Sequence, residues 1–207
     1  MGIGIKMAVV ACVAGLAHGG AWAGGGPLGI DSRLNYDDHG IWKRSNQKRL
    51  QTLLIGGEIV AALWEGDDTR LGRTFWQSID SSVIGGVSSE VLKRTFRRER
   101  PRQTDDPNQW FKSGGRSFPS GDVTTVAAVI TPFVLEYGHD HPAIYALELL
   151  PLYDGIARMK VRGHWQTDVL AGWALGTATG YYAHSRQQSF TVALLPRGVS
   201  VGWRKQF

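Results

Sequence analysis

SFPSGD, residues 117–122, opens the apolar stretch that runs to Tyr137, and the fold is read outward from it. Pro119, Ser120 and Gly121 suit the start of a helix. The first amides of a helix have no partner within it and the positive end of its dipole lies there, so Ser120 and Gly121 can hold an oxyanion. An ordinary helix cap uses the same residues. Asp122 is out of place for a phosphate site, which asks for a donor. An acid in a first turn is also stabilised by the dipole without any chemical task.

On both sides of this point apolar positions recur at helical spacing: Ser45 to Trp64, Thr69 to Arg97, Ser120 to Tyr137, Pro142 to Met159 and Trp165 to Ser185. Gly66 with Asp67 and Asp68, Pro101 to Pro119, Gly138 to Pro142, and Gly163 separate them. The pattern predicts an all-α helical bundle over residues 45–188. The last residues, 189–207, alternate apolar and polar around Pro196-Arg197-Gly198, which predicts a C-terminal β-hairpin packed on the bundle. Residues 24–44 are Gly-rich and polar, an irregular arm laid over the domain. Residues 1–23 combine Lys6, an apolar run from Met7 to Ala17 and Ala21-Trp22-Ala23, and read as a secretory signal peptide. The expected location is therefore the periplasm, with attachment to the envelope left open.

With 207 residues, 43% hydrophobic and 20% charged, the chain can fill one sizeable core. Cys12 is the single cysteine and leaves with the leader, so packing rather than disulfides must hold the domain. Loss of Lys6 lowers the formal charge of +5 by one, a mild basicity that favours anionic ligands without pointing to nucleic acid. A mean hydropathy of -0.17 argues against a chain made mostly of membrane spans. Glu58, Glu136 and Glu148 interrupt the apolar runs, which fall short of the roughly 20 residues a membrane helix needs. Eight Trp still allow a peripheral membrane contact, and nothing in the sequence speaks to the oligomeric state.

Three separated clusters carry the chemistry: KRTFRRERP (93–101), PSGD (119–122) and ARMKVRGHWQTD (157–168). Lys93 and Arg100 are two helical turns apart and share a face if the helix continues to Arg100. Taken alone, that segment reads as a solvated basic surface, since Arg94, Arg97, Arg98 and Arg102 crowd it. His164 and Asp168 are one turn apart, so the carboxylate can take an imidazole N–H and leave the other nitrogen free to attack. Arg158 can add a bidentate phosphate contact.

Together, Lys93 with Arg100-Pro101, Pro119-Ser120-Gly121, and Arg158, His164 and Asp168 resemble the type 2 phosphatidic acid phosphatase superfamily, whose pattern is K-x6-RP, PSGH and SR-x5-H-x3-D. That superfamily includes bacterial acid phosphatases and vanadate haloperoxidases. The resemblance spans about residues 75 to 185. It implies that Lys93, Arg100 and Arg158 hold phosphate oxygens, with Ser120 and the Gly121 N–H as further donors. His164 would attack phosphorus to form a phosphohistidine, and Asp168 would orient it. No metal ion or cofactor is implied, because three cations and backbone dipoles stabilise the charge.

Two positions depart from the pattern. Ala157 replaces a Ser. Asp122 replaces the His that resembles a general acid, a role that contributes about 10²- to 10⁴-fold. A carboxyl group whose pKa is raised near phosphate could donate the proton instead. His139 and His141 lie on the order of 25 Å along the helix, too far to substitute, whereas His39 in the arm could fold over the pocket. The expected activity is hydrolysis of phosphomonoesters or of a pyrophosphate bond, on a small soluble or a lipid-linked substrate. The alternatives are a phosphate-binding protein that has lost turnover and, below it, a vanadate haloperoxidase.

Overall fold

The computed structural model describes residues 24–186 and, beyond them, the backbone of Thr191–Leu195 and Gly198–Gly202. The expected leader, 1–23, lies outside the described residues. So do 187–190, 196–197 and 203–207. The two short backbone segments pair antiparallel, but the hairpin expected over 189–207 is not established as a packed unit.

Five helices carry the fold: α1 Arg44–Glu65, α2 Arg70–Phe96, α3 Gly121–Tyr137, α4 Leu149–Lys160 and α5 Gln166–Ser185. Their boundaries follow local chemistry. Thr69 caps α2, its hydroxyl oxygen accepting the Gly72 N–H at 2.9 Å, and Arg97 ends it in left-handed backbone at φ 42°. The stretch expected as one helix from Pro142 to Met159 is divided into a 3₁₀ segment, Pro142–Glu148, and α4. Pro151 explains the division. Proline lacks the N–H and suits the first turn of a helix, where that donor has no partner, so the α-helix begins just ahead of it, although α3 accommodates Pro132 in its interior.

α3 is the central helix. Val123, Val126, Ala127, Ala128, Val129 and Ile130 are all buried on it. α5 lies unusually close because glycines face α3: a Cβ at Gly172 would stand 2.5 Å from the Ser120 carbonyl, and one at Gly176 would stand 2.3 Å from that of Thr124. This close approach joins the start of α3 to the start of α5.

The outer helices behave differently from the sequence pattern. α1 buries Gln47, Glu58 and Ala62, while Leu53, Val60, Leu63 and Trp64 are exposed. Its inward contact is polar: Ser78 and Ser82 of α2 donate to Glu58 at 2.6 and 3.0 Å. None of the helices is long and apolar enough to cross a membrane among the described residues. The arm, 24–39, has no regular helix, and it is anchored by the buried Asp31.

Candidate active site

Lys93 enters from the last turns of α2. Its ammonium donates to Ser89 Oγ at 2.9 Å and to the Pro119 carbonyl, tying α2 to the loop ahead of α3. Burial, and after it the Arg100 charge, pulls Lys93 down to about 8. Gly121 makes room for this: a Cβ there would lie 3.1 Å from Lys93 Nζ.

Arg100 does not share the α2 face with Lys93, because the helix ends at Phe96. It reaches the same region through coil, where its guanidinium donates to the Arg116 carbonyl at 3.2 Å. Burial, with Arg158 and Arg102 as like-charged neighbours, lowers it to about 10. The spacing argument for Arg100 fails, yet both cations act on His164.

The start of α3 is held in place by Ser120, whose N–H donates to the Asp168 carbonyl at 2.9 Å. That amide is therefore engaged. Ser120 Oγ is buried without a hydrogen-bond partner, and Gly121, Asp122 and Val123 precede the first intrahelical donor, the Thr124 N–H bonded to the Ser120 carbonyl, so their amides are the ones left over by the helix.

His164 sits in the tight turn between α4 and α5 and is buried. Its Nδ1 lies 2.7 Å from the Ser117 carbonyl. A carbonyl only accepts, so Nδ1 carries the proton and Nε2 keeps its lone pair. Burial first, then Arg158, Arg100 and Lys93, hold the imidazole well below its usual range and hence neutral.

The tautomer is thus set by Ser117 and not, as the spacing suggested, by Asp168. Asp168 Oδ2 stands 3.7 Å from Nδ1. That oxygen accepts from Ser117 Oγ at 2.5 Å and from the Trp165 N–H at 2.9 Å, while Oδ1 accepts from Arg98 Nη1 at 2.8 Å. Asp168 thus bonds Ser117 and the turn that carries His164, and makes no direct hydrogen bond to the imidazole.

Arg98, expected on a basic surface, is fully buried. Besides Asp168 it donates to Asp31 at 2.6 Å and to Thr167 at 2.8 Å, and it lies 4.4 Å from the Trp110 ring centroid. Asp31 in turn accepts the Thr167 N–H at 2.8 Å. The arm is thereby built into the support of the site.

Asp122 is a charge partner. Its Oδ2 lies 2.6 Å from Arg44 Nη1 and 3.1 Å from Arg158 Nε, in ion pairs that lack hydrogen-bond alignment. Burial works to raise this carboxyl, but Arg158 and Arg44 outweigh it and hold it at about 2. Before any phosphate enters, the two guanidinium groups keep Asp122 ionised. His39 does not supply a substitute, since its ring is 91% exposed and sits beside Asp37. His139 is likewise exposed, next to Asp140.

Arg158 has Nε without a hydrogen-bond acceptor and is buried against Gly163, where a Cβ would stand 2.5 Å from its Nη2. Sequence reasoning missed Arg44, Arg98, Ser117 as a backbone acceptor, and Asp154. Asp154 alone left a readable signal, one turn before Arg158 on α4.

Comparison with known proteins adds three relatives, each named lipid A 1-phosphatase. That of Rhizobium johnstonii is 33% identical over 45% of this chain and 40% of its own length. That of Rhizobium etli is 32% identical over 45% of this chain and 42% of its own. That of Porphyromonas gingivalis is 36% identical over 50% of this chain and 21% of its own. The match thus spans well under half the length of each of these relatives. No solved structure matches. The family model described as PAP2 superfamily matches residues 76–191, a span that takes in all three clusters around His164 and more than half of the sequence, and the chain belongs to that superfamily.

Proposed function

We propose that the chain is a phosphatase that cleaves a phosphomonoester or pyrophosphate bond through a phosphohistidine at His164. One observation carries this reading: a buried, neutral imidazole has its Nδ1 proton committed to the Ser117 carbonyl and its Nε2 free, among Lys93, Arg100 and Arg158. In the proposed step Nε2 attacks phosphorus. The three cations, Ser120 Oγ and the Gly121 amide take the phosphoryl oxygens, and water then releases phosphate from the nitrogen.

The relatives' name supports a phosphate carried by a lipid. So does the outward apolar face of α1, with Leu53, Val60, Leu63 and Trp64 exposed, which suits a substrate presented at a lipid surface. The test is a substrate panel of p-nitrophenyl phosphate, an alkyl phosphate, pyrophosphate and a detergent-dispersed lipid phosphate, with His164→Ala beside the unmodified chain. Turnover that disappears in His164→Ala, with an acid-labile phosphoryl group trapped on the unmodified chain, is the expected result. Full activity in His164→Ala would sink the proposal.

One observation favours the second reading, a phosphate binder without turnover. Asp122 is ionised and occupies Arg158, a cation the substrate needs. In that case the panel would yield no product while inorganic phosphate still bound.

A further inference from the structure

Hydrolysis of an unactivated ester needs a proton for the leaving oxygen, and Asp122, held as a carboxylate by Arg44 and Arg158, has none to spare at rest. Asp154 of α4 is fully buried, and neither of its carboxyl oxygens has a hydrogen-bond partner. It stands one turn before Arg158, on the face whose guanidinium pairs with Asp122. The charged groups that act on it come from three helices: Asp122 from α3, Arg158 from α4 and Arg44 from α1. Burial foremost, and then the Asp122 charge, push this carboxyl up to about 7. A partnerless buried carboxyl is costly and calls for an explanation other than packing.

We propose that Asp154 is the proton store of the site and feeds the leaving-group oxygen through Asp122. The inference rests on the reading of phosphoryl transfer to His164. At rest Asp154 holds the proton and Asp122 is the anion. A phosphate that draws Arg158 onto its own oxygens removes one counter-ion from Asp122 and brings a negative charge beside it; freed of that ion pair, Asp122 turns toward Asp154, with which it shares no hydrogen bond at rest, and takes its proton. As the bond from His164 Nε2 to phosphorus forms and the ester P–O bond breaks, Asp122 gives that proton to the departing oxygen. Water then attacks phosphorus, the N–P bond breaks, and the proton lost by the water returns through Asp122 to Asp154. Asp154 touches no substrate and acts only through Asp122.

The experiment compares the full chain with Asp154→Asn on an alkyl phosphate and on p-nitrophenyl phosphate across pH 4.5 to 9. Asn keeps the volume and the neutral state but has no proton to pass. Its loss on the alkyl ester should exceed its loss on the aryl ester by about 10²-fold, the size of general-acid catalysis. In the unmodified chain, alkyl turnover should fade as pH rises through the neutral range while aryl turnover does not. Equal losses on both esters, or no loss on either, would overturn the proposal, because a structural role makes no distinction between leaving groups. An unmodified chain whose two pH profiles coincide would also overturn it, whether or not the variant folds. Inactivity of the unmodified chain on both esters would instead remove the phosphatase reading, and this inference with it.

Discussion

Arg158 Nε lies 3.1 Å from Asp122 Oδ2, so a guanidinium proposed to receive phosphate already faces a carboxylate. Arg44 shares that oxygen at 2.6 Å. An anion that binds Arg158 has to compete with Asp122 for it, and on the proposed mechanism that competition should affect both affinity and proton supply.

Asp122→Asn removes the competitor while keeping the shape. Tungstate affinity is expected to rise by about tenfold, equivalent to about 1.4 kcal/mol. Alkyl phosphate turnover should fall by about 10²-fold if Asp122 passes a proton. Titration calorimetry and the paired ester assay read the two effects separately. Unchanged affinity would show that Asp122 does not restrain Arg158.

Lys93 is expected to set the alkaline limit of anion binding. Its ammonium is charged below about pH 8 and loses the charge above it, so tungstate affinity should decline as pH rises through that value. Tungstate does not titrate in this range, so a break belongs to the protein. Lys93→Arg should flatten the profile, since a guanidinium stays charged.

Gly163→Ala tests how Arg158 is seated. The new Cβ would stand 2.5 Å from Arg158 Nη2, and the guanidinium has to move. A lost charge-assisted hydrogen bond costs about 1.5–3 kcal/mol, so tungstate binding should weaken roughly tenfold or more. Thermal unfolding should shift little by comparison. Unaltered binding would mean that the side chain has slack.

Gly176→Ala tests the scaffold instead. Its Cβ would meet the Thr124 carbonyl at 2.3 Å, a backbone atom that cannot swing aside. Separation of α3 from α5 should lower stability by about 1–3 kcal/mol, measured by denaturant unfolding.

Asp154→Asn should stabilise the protein, and more so as pH rises. The unfolded Asp154 ionises in the ordinary carboxylate range, whereas the folded group keeps its proton up to about pH 7. The folded state therefore binds more protons in that window, and stability falls as pH climbs through it. Asn has no such decline, so the difference in melting temperature between variant and parent should grow from pH 4 to pH 8. A constant difference would mean that Asp154 titrates normally.

Local punctuation and residue spacing determined much of this protein. Thr69 and Arg97 bound α2 in the sequence as they do in the structure, and the Pro119 to Gly121 start of α3 was equally legible. That Lys93 and Arg158 gather around His164 was legible as well, because motif order and gaps need no tertiary information. The exceptions began where a local rule met a distant partner. Helical spacing was the wrong reason for Arg100, since α2 stops at Phe96. The apolar pattern of α1 does not reveal that its inward contact is a Glu58 bonded to two serines.

Only the tertiary structure decided the charge states on which the chemistry turns. Arg98 looks like its basic neighbours in the sequence, yet it is buried because Asp31, 67 residues away, and Asp168, 70 away, converge on it. The resting charge of Asp122 cannot be read until Arg44 and Arg158 are found on the same oxygen. Asp154 reads as an ordinary helical acid until the packing of α4 deprives it of water and of any hydrogen-bond partner. Helix limits depend on neighbours in the chain and can be read there. A proton affinity depends on desolvation and on charges a few ångströms away, and those distances exist only once remote segments are packed together.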